Sequence, residues 1–107
     1  MKVYISGQIT SLQQDEYRKA FNKATIDLVE NGHEPVDPSL LGNPEHHSWN
    51  YYMRMAIPQL CGCDAIYMLN GWGQSKGAAL EKTIAMGLDM GIFYESDGAF
   101  NKEILHG

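Results

Sequence analysis

The sequence has little cysteine, and its two cysteines stand one residue apart. Cys61 and Cys63 are too close along the chain for an unstrained disulfide with each other, and they supply at most half of a metal site. The four histidines are scattered and add no recognised zinc spacing. We therefore expect two free thiols that are buried or half-buried, no metal and no cofactor.

Positive charge is also scarce. Lysine and arginine number 8 against 13 aspartates and glutamates, which gives a formal net charge of -5, and no basic run occurs. This balance argues against a nucleic-acid polymer as partner, because such a partner is held through a broad basic patch. A small anion held by local backbone dipoles stays open.

Long apolar runs are missing as well. The N-terminal stretch "KVYIS" ends at Gly7, far short of a signal peptide or a membrane-spanning segment, so we expect a cytoplasmic protein with no membrane partner. Hydrophobic residues make up 44% of the chain and charged residues 20%, which is typical of globular proteins. At 107 residues the chain is expected to form one domain over residues 1–107.

Four short stretches have the composition of β-strands. They are rich in β-branched, aromatic or aliphatic residues and lie at residues 2–7, around 35–37, at 64–69 and at 92–94. The second is confined by its prolines. Residues 40–47 are expected to form an exposed loop.

Three helices are predicted between these strands. The first begins at a capping box of Ser11 and Gln14, presents an apolar stripe, and stops at Gly32. The second begins near Ser48 and has to kink or break at Pro58. The third covers residues 77–90. This alternation predicts a small three-layer α/β/α domain of the Rossmann or flavodoxin type, with a parallel sheet of about four to five strands.

The stretch "LNGWGQSKGAALE", residues 69–81, combines glycines, a serine, a lysine and a carboxylate. It matches neither a Walker loop nor the dinucleotide fingerprint, because the spacings differ. Ser75, Lys76 and Gly77 stand at the start of the third helix, where unpaired N–H groups can hold a phosphate beyond the end of a strand. The alternative is that Ser75 only caps the helix and Gly77 only permits close packing.

Glu81 follows Gly77 by about one helical turn, so its side chain can emerge near the same edge of the sheet. A carboxylate there can attack an electrophilic carbon of a ligand whose phosphate is held nearby. The alternative is a solvated charge that complements the helix dipole.

The motifs "YISG", "CDAIYML" and "GWGQSKGAALE" resemble the nucleoside 2-deoxyribosyltransferase superfamily, in particular a branch of small phage and bacterial domains of unknown function, over residues 2–94. The resemblance implies that Glu81 is a nucleophile that attacks C1′ of a deoxyribosyl unit and expels the base. Related deoxynucleoside 5′-monophosphate N-glycosidases carry a serine that touches the phosphate six residues earlier, where this chain has Ser75. This serine favours a nucleoside monophosphate over a nucleoside, and hydrolysis over transfer.

The resemblance assigns further residues to the site. It places Tyr4 at the sugar and Gly7 near the phosphate. Gly73, Lys76 and Gly77 belong to the phosphate cradle that the start of the third helix predicts. Trp72 is expected to stack on the base, with Trp49, Tyr51 and Tyr52 as further aromatic candidates that can instead be core or interface residues. Both Tyr4 and Gly7 can also be ordinary strand residues.

The sequence departs from the superfamily at one position. A second catalytic aspartate is expected where this chain has Ala56, eight residues before Asp64. Asp64 is expected to be structural, and Asp37 is a possible replacement acid. The superfamily assembles into oligomers, which implies a homodimer or homotetramer. The alternatives are a non-catalytic nucleotide sensor on the same scaffold and an assembly module buried through residues 49–55.

Overall fold

The computed structural model describes residues 1–9, 12–41 and 48–100. Within them, four strands alternate with three α-helices: β1 (Lys2–Ser6), α1 (Gln14–Glu30), β2 (Glu34–Val36), α2 (Trp49–Cys61), β3 (Ala65–Met68), α3 (Lys76–Gly87) and β4 (Gly91–Tyr94). Single turns of 3₁₀ helix lie at Pro38–Leu41, Trp72–Gln74 and Glu95–Asp97. Of the predicted exposed loop, residues 42–47 lie outside the described part of the chain.

The four described strands form one parallel sheet in the order β2-β1-β3-β4. Each strand is joined to the next by a helix, as the alternation in the sequence predicts. The predicted fold class, a three-layer α/β/α domain, is confirmed.

The two faces of β1 are covered by different helices, because successive side chains of a strand point to opposite sides. Val3 and Ile5 pack with the apolar stripe of α1, which consists of Tyr17, Phe21, Ala24 and Leu28. Tyr4 packs on the opposite face with α2 and α3, through residues such as Ala56 and Ala78. The sheet is therefore the middle layer.

The helix ends show where the sequence prediction was accurate and where it was not. α1 begins at Gln14 with Gln13 as N-cap, and no side chain caps it, so the predicted capping box is wrong; Ser11 itself lies outside the described residues. Its other end is as predicted, since Gly32 has φ 81° and the His33 N–H bonds back to the Leu28 carbonyl at 2.9 Å.

α2 is continuous through Pro58, where the sequence predicted a kink or a break. α3 begins one residue earlier than predicted and ends at Gly87 rather than residue 90. It ends there because Asp89 adopts a left-handed φ of 55° and the Met90 N–H bonds to the Ala85 carbonyl at 3.0 Å.

The strand order changes direction between β1 and β3, because β1 connects leftward to β2 and β3 connects rightward to β4. At such a switch point the loops after the two strands diverge and leave a crevice at the carboxyl ends of the strands, where open α/β sheets bind their ligands. Among the described residues, no helix is long and apolar enough to cross a membrane.

Candidate functional site

A cavity of about 250 Å³ lies beyond the carboxyl ends of β1, β2 and β3, beside the start of α3. The segment after β1 and the helix α1 contribute Gly7, Ile9 and Phe21, and Pro38 follows β2. α2 contributes Trp49, Tyr52 and Met53, and the start of α3 contributes Gln74, Ser75, Lys76, Gly77, Ala78 and Glu81. The cavity therefore has an apolar side from α1 and α2 and a polar side from α3.

Glu81 lies on the inner face of α3 and is only 5% exposed, although it lines this cavity. Its Oε2 accepts a hydrogen bond from the Tyr4 hydroxyl, and its Oε1 accepts one from the Ser6 hydroxyl at 2.8 Å. Tyr4 and Ser6 are two residues apart on β1, so their side chains project from the same face of the sheet. The alternative of a solvated surface charge for Glu81 is wrong.

Burial raises the pKa of Glu81 to about 7, because removal from water penalises the charged carboxylate. The hydrogen bonds from Tyr4 and Ser6 oppose this effect by stabilising the charged form. Burial, and the negative charge of Glu81, raise the pKa of Tyr4 far above its ordinary value, so its hydroxyl remains a donor. Near neutral pH Glu81 is thus close to its titration midpoint.

The start of α3 presents hydrogen-bond donors to the same cavity. The Ser75 side chain accepts from the Ala78 N–H at 3.1 Å, and the Ser75 carbonyl accepts from the Ala79 N–H at 3.0 Å. The N–H groups of Lys76 and Gly77 have no acceptor within the described part of the chain. Both residues line the cavity, so the positive end of the helix dipole faces it.

Lys76 and Trp49 form a cation–π pair at the cavity, with the Lys76 Nζ 4.0 Å from the centroid of the Trp49 ring. Tyr52, one turn along α2, donates its hydroxyl to the Pro38 carbonyl at 3.0 Å. Burial raises the pKa of Tyr52, and the nearby charge of Glu81 adds to this effect. Trp49 and Tyr52, both aromatic candidates in the sequence, are thus brought to the cavity.

Two of the predicted site glycines also have packing roles. A Cβ built on Gly77 would lie 3.1 Å from the Met53 sulfur, so this glycine lets α2 approach the start of α3. A Cβ on Gly7 would lie 3.1 Å from the Leu69 side chain. The packing reading therefore holds for Gly77 and Gly7, together with their position in the cavity wall.

Trp72 and Gly73 are not among the described residues that line this cavity, so their contact with a ligand stays a prediction. The Trp72 ring packs against Tyr94 at a centroid distance of 6.2 Å, and the Lys82 ammonium lies 4.5 Å from its centroid. The turn that starts at Gly71, with φ 86°, belongs to a 3₁₀ helix that carries Trp72 toward β4.

Asp37, the candidate replacement acid, is not a lining residue either. Its Oδ2 lies 3.2 Å from the Arg18 guanidinium, and its Oδ1 accepts from the backbone N–H of Ser39 at 2.9 Å and from its hydroxyl at 2.5 Å. This carboxylate holds the turn after β2, and the prediction of an acid at Asp37 finds no support in its contacts.

Ala56 stands where the resemblance expects an acid, and Asp64 was predicted to be structural. Ala56 is fully buried in the apolar contact between α2 and the sheet. Asp64 is structural, since its side chain accepts from the Lys2 N–H at 2.8 Å. Of the residues described as lining the cavity, Glu81 is the carboxylate.

Both cysteines are free, but only Cys63 is buried, with its thiol donating to the Gln59 carbonyl at 3.2 Å; Cys61 is exposed. Within residues 1–9, 12–41 and 48–100, no group of three or more histidine, cysteine, aspartate or glutamate side chains is placed to hold a metal ion.

Ser6 and Met53 were missed by sequence reasoning. Ser6 had a usable signal, because a serine two residues after Tyr4 on a buried strand faces the same side and needs a partner. Met53 had none, since a methionine on the apolar side of a helix is typical of core residues.

The fold and the cavity at the switch point define a small doubly wound α/β domain. Residues 1–94 match a domain of unknown function, DUF4406, and because this match covers most of the chain, the protein belongs to that family. No curated protein and no solved structure matches the sequence. The family description states no activity, so the resemblance to nucleoside 2-deoxyribosyltransferases stays a prediction.

Proposed function

We propose that the protein cleaves the N-glycosidic bond of a nucleoside or deoxynucleoside 5′-monophosphate, with Glu81 as nucleophile. The observation that carries the proposal is the position of the Glu81 carboxylate. It is almost buried, is held by two hydroxyl donors, and lines the same cavity as the N–H groups that begin α3. Because Glu81 and the anion site lie on the same helix, the distance between them is fixed. This arrangement suits attack by the carboxylate on C1′ of a sugar whose phosphate is bound at the anion site.

The proposed reaction has two steps. A Glu81 oxygen forms a bond to C1′ while the C1′–N bond breaks. The electron pair of the C1′–N bond leaves with the base, as the leaving group does in retaining glycoside hydrolysis. Water then attacks C1′, frees the carboxylate as the ester C–O bond breaks, and yields the sugar phosphate. In sum, water supplies a hydroxyl to the sugar and a proton to the base.

The phosphate is assigned to the start of α3. The free N–H groups of Lys76 and Gly77, the Ser75 hydroxyl and the Lys76 ammonium are donors at a place where the helix dipole favours negative charge. An anion there stands about one helical turn from Glu81. Tyr4 has its hydroxyl on the Glu81 carboxylate, so its part is to orient the nucleophile at the sugar.

The test is incubation with a panel of ribo- and deoxyribonucleoside monophosphates, followed by chromatography for free base. We expect release by the wild type and its loss in Glu81→Gln. The matched control is Glu30→Gln, which changes an exposed glutamate at the end of α1 and should keep wild-type release. If wild type and Glu81→Gln release base no faster than buffer, the enzymatic proposal fails.

A non-catalytic nucleotide sensor is the second candidate. The buried Ala56 favours it, because the resemblance expects an acid there, and without general-acid help a rate falls by roughly 10²- to 10⁴-fold. A sensor would bind monophosphates in calorimetry with equal affinity in wild type and Glu81→Gln, would lose binding in Ser75→Asp, and would release no base.

Assembly as a homodimer or homotetramer is also a proposal. It is supported by the exposed apolar side chains Tyr51 and Met55 on α2 and Leu80 on α3. Analytical ultracentrifugation tests it: a sedimentation coefficient of a 12.0 kDa monomer at micromolar concentration would contradict it.

A further inference from the structure

Ser6 is a buried polar residue whose hydroxyl contacts the Glu81 carboxylate. It is the last residue of β1, pairs with Met68 of β3, and has no exposed surface. Its hydroxyl donates to Glu81 Oε1 at 2.8 Å. Burying a hydroxyl is costly unless it is hydrogen-bonded, so this bond accounts for a serine at a place where the neighbouring core residues are apolar.

Ser6 and Tyr4 bind different oxygens of the same carboxylate. A single donor at one oxygen would leave the carboxylate free to rotate about its last side-chain bond, since that torsion is broad. Donors at both oxygens fix its plane. The spacing of two residues along β1 provides this arrangement, because both side chains leave the strand on the same face.

Ser6 does not line the cavity, so a ligand there meets Glu81 but not Ser6. Any effect of Ser6 on chemistry must therefore act through the carboxylate. Its hydroxyl also favours the charged state, since two donors satisfy an ionised carboxylate, whereas a protonated one would need one of them to accept.

We propose that Ser6 is a positioning residue that fixes the plane of the Glu81 carboxylate and favours its charged, nucleophilic form. The inference rests on the proposed function for its catalytic consequence, but the Ser6–Glu81 coupling can be measured without turnover.

The coupling is measured by carboxyl NMR on protein labelled with ¹³C at the glutamate side-chain carboxyl, with Glu81→Gln to assign the signal. Tyr4 on β1 and Tyr52 on α2 are the other titratable groups that interact with Glu81, Lys76 on α3 lines the same cavity, and Ser6→Ala substitutes none of them. We expect the titration midpoint of Glu81 to rise in Ser6→Ala, because a donor to the charged form is lost. An unchanged midpoint would overturn the proposal.

Ser39→Ala is the matched control, because Ser39 is also a buried serine whose hydroxyl donates to a carboxylate, that of Asp37, at 2.5 Å. The Glu81 midpoint should not move in this variant. Ser6→Cys covers the case that Ser6→Ala does not fold: a thiol is a weak donor of similar size, so the midpoint should again rise, and a midpoint equal to that of the wild type would overturn the proposal.

The kinetic consequence is a change in pH profile. At pH 6, base release by Ser6→Ala should be about tenfold below wild type, since a hydrogen bond to a charged group is worth about that factor, and the gap should narrow at pH 9, where Glu81 is ionised in both. No loss of base release at any pH, together with an unmoved midpoint, contradicts the role. If the wild type releases no base while the midpoint moves, the proposed function fails and the Ser6–Glu81 coupling stands.

Discussion

The Tyr4 hydroxyl donates a hydrogen bond to Glu81 although the two residues are 77 positions apart in the chain. The bond joins β1 to the inner face of α3, at the switch point of the sheet. Both side chains are buried, so the contact brings a charge into the core layer between the sheet and α3. Removing the charged carboxylate from water costs more free energy than its hydrogen bonds to Tyr4 and Ser6 return, and the first prediction follows from this cost.

Stability should fall as the pH rises through the titration of Glu81. The pKa of Glu81 is raised from 4.5 to about 7, chiefly by burial, so the folded protein binds this proton more tightly than the unfolded chain. The resulting stabilisation is complete below pH 4.5 and is lost by about pH 7. Because Glu81→Gln is never charged at this position, its free energy of unfolding should rise relative to that of the wild type by up to about 3 kcal/mol between pH 5 and pH 8. Urea unfolding at each pH measures this difference.

The difference between the two unfolding free energies at each pH is the quantity to follow, because the contributions of groups far from Glu81 cancel in it. Glu30→Gln serves as control, because Glu30 is exposed and should show no such pH-dependent gain. A difference between wild type and Glu81→Gln that does not change from pH 5 to pH 8 would show that Glu81 is not held as a buried carboxylate.

The layer architecture was predictable because its signals are local and redundant. The stripe of Tyr17, Phe21, Ala24 and Leu28 repeats at helical spacing, and each is buried in the structure. By contrast, the start of α1 was mispredicted because a capping box is a single pattern, and Gln13 takes the N-cap position without a side-chain bond. The continuity of α2 through Pro58 was missed because a local rule for proline does not include the burial of Ala56 and Leu60 on either side of it.

Ser75→Asp should separate ligand binding from helix capping. Aspartate is a good N-cap and its charge suits the helix dipole, so the bond to the Ala78 N–H can be kept and the melting temperature should stay within a few degrees of wild type. The new charge repels a phosphate at the same place. We expect nucleoside monophosphate affinity, measured by calorimetry, to drop at least about tenfold, since like charges that face each other cost several kcal/mol.

Ser48→Asp is the control for this experiment. Ser48 caps α2 in the same way, by accepting from the Tyr51 N–H at 3.1 Å, but it does not line the cavity. Its substitution should leave both stability and affinity unchanged. Equal affinity in wild type and Ser75→Asp would remove the anion site from the start of α3.

Lys76 should leave the Trp49 ring when a phosphate binds. The cation–π contact at 4.0 Å is worth about 1 kcal/mol at an exposed site, less than a charge-assisted bond to a phosphate. In a Trp72→Phe background, the fluorescence of Trp49 should therefore change on addition of a nucleoside monophosphate. Lys76→Met should lose this response and weaken binding about fivefold, which corresponds to about 1 kcal/mol.

The chain provides a matched control in Lys82, whose ammonium lies 4.5 Å from the Trp72 ring outside the cavity. Lys82→Met should keep the Trp49 response and the affinity of the wild type. A response that survives in Lys76→Met but disappears in Lys82→Met would place the phosphate elsewhere.

The placement of Glu81 and Ser75 in one cavity followed from helix geometry, since both lie near the start of one helix and a few residues apart. Trp72 and Asp37, which do not line this cavity, lie in turns after strands, where the direction of a side chain depends on local φ angles and contacts. Gly71 at φ 86° and the Arg18 contact of Asp37 decide these directions, and neither follows from spacing.

Covalent capture of Glu81 tests the central claim most directly. The wild type is incubated with nucleoside 5′-monophosphates that carry fluorine at C2′ of the sugar, a substituent that slows hydrolysis of a glycosyl ester, and is then analysed by intact-protein and peptide mass spectrometry. We expect a sugar-phosphate adduct on the peptide that contains Glu81, absent in Glu81→Gln and present in Glu30→Gln. Base release by the wild type without any adduct at Glu81, or with an adduct that persists in Glu81→Gln, would contradict the account.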